Sequence, residues 1–169
     1  MPRFLLPLLS VLLFTTLVFG GCSSPSSEGF AIYLTKGDIP VTQMEALSHF
    51  DLADTPLISI NDIVSYDKNL HRIELTAEAG ARVRQLNIPV NGKSFVICVD
   101  KQPIYWGAFW TPISSISFDG IAIWADYVAE MQNVIYLTLG YPDPICFKGD
   151  DPRPNPLILE SLEKAGKLK

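Results

Sequence analysis

At 169 residues the chain has the length of one ordinary domain and is short for two. It carries 13 lysines and arginines against 18 aspartates and glutamates, a net charge of −5, and the basic residues are scattered with no stripe among them. Nucleic-acid binding through phosphates needs clustered positive charge, as does docking on anionic lipid by a basic face, so neither is expected.

The N-terminus reads as an address. Arg3 supplies a minimal positive region, residues 4–19 (FLLPLLSVLLFTTLVF) are uncharged and apolar, and Gly20 and Gly21 precede Cys22. Small residues after an apolar run are the mark of a secretory cut site. The run is also near the shortest that spans a bilayer as a helix, so a retained anchor or a plain signal peptide competes. The residues VFGGC decide between them: they resemble a bacterial lipobox, with Phe19 where that pattern usually has leucine. The resemblance implies cleavage before Cys22, lipidation of its thiol, and residence in the cell envelope facing the extracytoplasmic side. Residues 1–21 are then a signal peptide, 22–29 (CSSPSSEG) a short polar tether, and 30–169 one extracytoplasmic domain.

Along that domain the pattern is mixed. Phe30 to Thr35 reads as a first strand, ended by Lys36-Gly37-Asp38. Thr42 and Glu45 fit a capping box opening a short helix to about His49. Leu57 to Ile60 is expected as a short strand. Ile63–Tyr66 and Arg72–Leu75 flank the turn Asp67-Lys68-Asn69. Thr76 then caps a helix from Ala77 to Leu86, with Ala79, Val83 and Leu86 on one face and Arg82 and Arg84 outward.

Phe95–Val99 and Ile104–Phe109 form a hairpin about Asp100-Lys101-Gln102. A further hairpin, Ile113–Phe118 with Ile121–Trp124, is expected about Asp119-Gly120, a strong short-range turn signal. Val134 to Leu139 is a last strand. Asn155 caps a final helix with Pro156 in its first turn, Ile158, Leu159 and Leu162 as its apolar stripe, and Gly166 as its stop. About seven or eight strands and three helices predict a single α+β domain built mainly on antiparallel sheet.

Part of the middle also has a family likeness. Residues 73–81 (IELTAEAGA), 91–100 (NGKSFVICVD) and 117–123 (SFDGIAI) stand in order. They resemble the strand-into-helix segment, the central strand and the glycine hairpin of the periplasmic head subdomain of the protein-export component SecD. The likeness runs from Ile73 to Trp124. It departs at the extra Ala79, and at Tyr105-Trp106-Gly107-Ala108, where that family usually has an alanine-proline pair. It implies a SecD head-like fold and a role in meeting polypeptide, and it carries over no catalytic residue.

The chemistry-bearing residues form no strong constellation. Asn91-Gly92-Lys93-Ser94 echoes a phosphate loop, but Asn87 stands where its first glycine belongs and a strand follows in place of a helix. His49 and His71 have no metal-ligand spacing, and no G-x-S-x-G elbow is present. Asp143, Asp150 and Asp151 lack the alternating spacing of a calcium loop. No metal site, cofactor or catalytic residue is therefore assigned.

Cys98 and Cys146 can oxidise to a disulfide outside the cytoplasm. Cys98 also reads as a small core residue in an apolar run, so free thiols are expected ahead of the bridge and both alternatives stay open. The aromatic run Tyr105-Trp106-Gly107-Ala108-Phe109-Trp110 is the candidate binding surface, since large aromatics left open usually mean interaction. The leading expectation is a lipid-anchored, non-enzymatic binding or accessory module for a polypeptide or envelope partner. A small extracytoplasmic hydrolase built around one histidine is the alternative, and a purely structural envelope protein a third.

Overall fold

The computed structural model describes residues 28–46, 49, 51–124 and 133–169. The expected signal peptide, Cys22, most of the tether and part of the end of the first helix lie outside these residues. Among these residues eight strands make two sheets. In the larger, five strands lie in the order β1 (Phe30–Leu34), β4 (Lys93–Val99), β5 (Gln102–Trp110), β6 (Phe118–Trp124) and β8 (Thr138–Tyr141). In the smaller they are β2 (Ile63–Asp67), β3 (Arg72–Leu75) and β7 (Val134–Tyr136). Among the described residues three helices accompany the sheets: α1 (Val41–Met44), α2 (Ala77–Arg84) and α3 (Pro156–Lys164). The single α+β domain expected from the sequence is the one observed.

Sequence alternation explains the layering. On β1, Phe30 and Ile32 enter one core while Ala31 and Tyr33 enter another on the opposite face. β4 does the same with Phe95 and Ile97 against Val96 and Cys98, so the large sheet is apolar on both sides. Its main face packs on the small sheet, on Ala79 and Val83 of α2 and on Ile158 and Leu162 of α3. The other face is covered by Val41 and Met44 of α1 and by Ile39 and Leu52 around it.

Many local expectations hold. The β2–β3 and β4–β5 hairpins are antiparallel as read, the second turning at Asp100 and Lys101 with φ of 52° and 65°, the paired left-handed residues of a tight hairpin. Thr76 caps α2 by accepting a hydrogen bond from the Ala79 N–H, and Asn155 caps α3 from Leu157. Glu28 and Gly29, the last two residues of the expected tether, are held in place. The Glu28 carboxylate accepts from the Tyr33 hydroxyl, and the Gly29 N–H donates to Asp100 at 2.7 Å.

Four expectations are corrected. Thr42 does not cap α1: the helix starts at Val41 after Pro40, because Val41 and Met44, one turn apart, are the residues drawn into the core. The capping box is found instead at Ser59 and Asp62, opening a 3-10 turn over Ile60–Asp62. In place of a strand over Leu57–Ile60 there is a single bridge between Ile58 and Ile32.

The Asp119-Gly120 hairpin is absent. Neither residue has the positive φ such a turn needs, and both lie inside β6, which runs parallel to β5. Gly120 serves packing instead: a Cβ there would come within 2.5 Å of the Phe118 ring. Finally, Val134 to Leu139 is not one strand. Residues 134–136 pair with β3 and residues 138–141 with β6, so the chain changes sheets at Leu137.

Candidate functional site

Two places collect the chemistry-bearing residues. The first is the sheet switch at Leu137. Its N–H donates to the His71 carbonyl at 3.0 Å, and its carbonyl accepts from the Arg153 guanidinium at 2.7 Å. Arg153 also forks onto Asp151, at 2.8 and 2.7 Å. The bonds from Arg153 hold the Asp151 carboxyl below the ordinary carboxylate range. The His71 Nδ1 and the Tyr66 hydroxyl share a hydrogen bond of 2.9 Å. Burial pushes Tyr66 up to about 12, and burial followed by the charge of Arg153 pushes His71 down from 6.5.

This cluster is a clamp. Its polar atoms are spent on one another and on the Leu137 backbone: the His71 Nδ1 on the Tyr66 hydroxyl, and Arg153 on Asp151 and the Leu137 carbonyl. His49 is on the surface, its ring 3.6 Å from Asp51 with both side chains more than three-quarters exposed. Among the described residues no three of His, Cys, Asp and Glu converge as a metal set. Asp143 accepts from the Ile145 N–H, and Asp151 is taken by Arg153. The phosphate-loop echo is a turn: Gly92 has φ +81° beneath the Trp110 ring, and β4 begins at Lys93.

The clamp predicts a pH dependence. An unfolded chain protonates His71 near 6.5, whereas the folded chain resists that proton, so its stability falls as pH drops below about 6.5. The carboxylates with depressed values, Asp62, Asp67 and Asp151, lose their contribution only as pH falls below about 4. Urea midpoints at about pH 7 and pH 5 are expected to differ in the native chain and to converge in His71→Asn, asparagine being tolerant of the φ of 48° at this position. An unchanged slope in the variant would place the effect elsewhere.

Cys98 and Cys146 are free thiols, so the bridge held open above is not formed. Cys98 is buried on β4, and burial pushes its thiol up to about 12. Cys146 lies in the 3-10 turn Pro144–Cys146 just after β8, with β5 and β6 between that strand and β4. Three strand spacings come to about 14 Å, against the roughly 7 Å limit of a disulfide's Cα separation.

The second place is the aromatic run of β5. Alternation divides it as expected, but burial reduces the candidate surface. Phe109 is fully buried in the main core against Phe95, ring centroids 5.2 Å apart. Trp110 is 2 % exposed, stacked on Phe118 at 4.9 Å and against Tyr141 at 5.7 Å. These two residues are structural. Tyr105 and Trp106 remain, half-buried on opposite faces of the strand, with the Tyr105 hydroxyl turned inward and out of contact with solvent.

Together they line a groove of about 420 Å³ whose other walls are Asp119, Gly120 and Ile121 of β6, Phe147, Lys148, Asp150 and Pro152 from the connection into α3, and Glu45 after α1. Lys148 bridges the groove's edge to Asp119, its amide donating to the Asp119 carbonyl and its ammonium lying 3.2 Å from the carboxylate. The sequence pointed to Tyr105 and Trp106 but not to the wall from residues 147–152, which carries no motif.

Among the described residues no helix is long and apolar enough to cross a membrane. No known family, no curated protein and no solved structure matches the chain.

Proposed function

We propose that the chain is a lipid-anchored extracytoplasmic binding module, non-enzymatic, which meets a polypeptide or envelope partner at the groove beside Trp106. The observation that carries this reading is a half-buried tryptophan on the wall of a groove between two strands, while its neighbours Phe109 and Trp110 are consumed by the core. A large aromatic left at a concave site is the common anchor of a protein interface. The lipobox-like residues before Cys22 supply the location. The likeness of residues 73–124 to the SecD head supplies a leaning toward polypeptide, and two residues of the stretch where this chain departs from that family, Tyr105 and Trp106, line the groove.

Two experiments test the reading. Radiolabelled palmitate is expected to enter the native chain and not Cys22→Ala; label persisting in the variant contradicts the anchor. Affinity capture from crosslinked membranes is expected to recover a partner with the native chain and with Leu70→Ala, on an exposed turn apart from the groove, but not with Trp106→Ala. Equal recovery with Trp106→Ala would remove the groove from the interaction.

A further inference from the structure

The strand registers gather five strand ends at one end of the large sheet. Phe30 pairs with Val99 and Val99 with Gln102, β6 runs parallel to β5 from Phe118, and Phe118 pairs with Tyr141. The chain enters the domain at this end, since Glu28 and Gly29 lead straight into β1. From Cys22 to Glu28 the reach of an extended chain is at most about 21 Å. The width of the sheet, four strand spacings, is about 19 Å. A lipid on Cys22 therefore keeps the domain within about its own width of the bilayer and holds this end nearest to it.

Aliphatic side chains stand in water at the same end. Ile145, four residues beyond Tyr141, is 88 % exposed. Ile116, two residues before Phe118, is half exposed, and so is Leu157 at the start of α3, beside Glu28, Gly29 and Val99. Ile145 is held firmly in place. Asp143 accepts from its N–H at 2.9 Å, and the Phe147 N–H closes the turn on the Pro144 carbonyl at 3.0 Å. Turns favour glycine, proline and short polar residues, and this one displays a branched hydrocarbon. Separate isoleucines and a leucine are not the aromatic and arginine anchors of a protein interface; they suit fluid acyl chains, which need no matching shape.

Resting on the lipid-anchor reading, we propose that Ile145, Ile116 and Leu157 dip into the hydrocarbon edge of the bilayer that holds Cys22, so that this end of the domain lies on the membrane. The contact is apolar and needs no anionic lipid, in keeping with the scattered basic residues. None of the three lines the groove, which is walled by Asp119, Gly120 and Ile121 near the start of β6 and so opens close to the membrane surface.

The test uses the full chain, lipidated in cells with radiolabelled palmitate and reconstituted into phosphatidylcholine vesicles. A fluorescent amino acid replaces Ile145 in one sample and Val90 in another, and the vesicles carry a lipid with a nitroxide quencher on its acyl chain. Val90 is also a half-exposed aliphatic, but it lies just before β4, whose first residue, Lys93, pairs with Phe109 at the opposite end of the sheet. The label itself therefore favours neither position. Quenching at position 145 is expected to be about threefold stronger than at position 90, or more. Ile116→Ser with Leu157→Ser should bring it down toward the value at position 90, and phosphatidylglycerol should add nothing.

Equal quenching at the two positions in palmitate-labelled chain overturns the membrane contact and leaves the anchor standing. Quenching at position 145 that depends on phosphatidylglycerol overturns its apolar nature. A chain that takes up no palmitate overturns the anchor, and this contact with it.

Discussion

Gly107→Ala is expected to cost about 3 kcal/mol of stability, a large share of the roughly 5–15 kcal/mol that holds an ordinary domain together. The added Cβ would lie 2.3 Å from the Ile121 carbonyl oxygen and 2.5 Å from the Phe95 ring. Neither neighbour has room to retreat. Ile121 is backbone of the β5–β6 ladder, and Phe95 is fully buried edge-on against Phe109. Relief must come from separating the strands at the point where their pairing starts. Chemical denaturation of the native chain and the variant measures it. A change under about 0.5 kcal/mol would show that β5 and β6 do not approach so closely.

The second large effect separates the two tryptophans of β5. Trp110→Ala is expected to cost about 4 kcal/mol, since it empties the space between Phe118, Tyr141, Val41 and Gly92. The Trp110 indole N–H is buried and has no hydrogen-bond partner among the described residues, so Trp110 is retained for its rings and not for its polar group. Trp106→Ala, by contrast, removes a side chain that keeps part of its surface in water while its ring packs on Phe118 at 5.9 Å, and about 2 kcal/mol is expected. Equal losses at the two positions would contradict the division between a structural and an open tryptophan.

The fold was legible where local chemistry and tertiary packing agree. Alternating apolar residues announced β1, β4 and β5, and Thr76, Asn155 and Gly166 marked the ends of α2 and α3 because caps and stops act within a few residues. The sequence misled where one local signal has two uses. Asp119-Gly120 looks like a hairpin turn, but the missing Cβ of Gly120 makes room for Phe118, and no turn forms. The run from Val134 to Leu139 is apolar throughout but for Thr138, and nothing in it announces that Leu137 will be clamped between His71 and Arg153 so that its two halves join different sheets.

The candidate site was half visible for a similar reason. Tyr105 and Trp106 stand out because aromatics cluster there, whereas burial of Phe109 and Trp110 depends on layers that only the folded chain brings together. The wall formed by Phe147, Lys148 and Asp150 arrives through the turn after β8 and the hold of Lys148 on Asp119, contacts between segments far apart in sequence.

The most direct measurement is photocrosslinking in the intact envelope from one position at a time. A photoreactive residue replacing Lys148, at the rim of the groove, is compared with one replacing Lys164 on α3; both positions are about four-fifths exposed. A discrete adduct from position 148 that is absent from position 164, and lost on adding Trp106→Ala, is the expected result. The same adducts from both positions, or none from position 148, would contradict a partner seated in the groove.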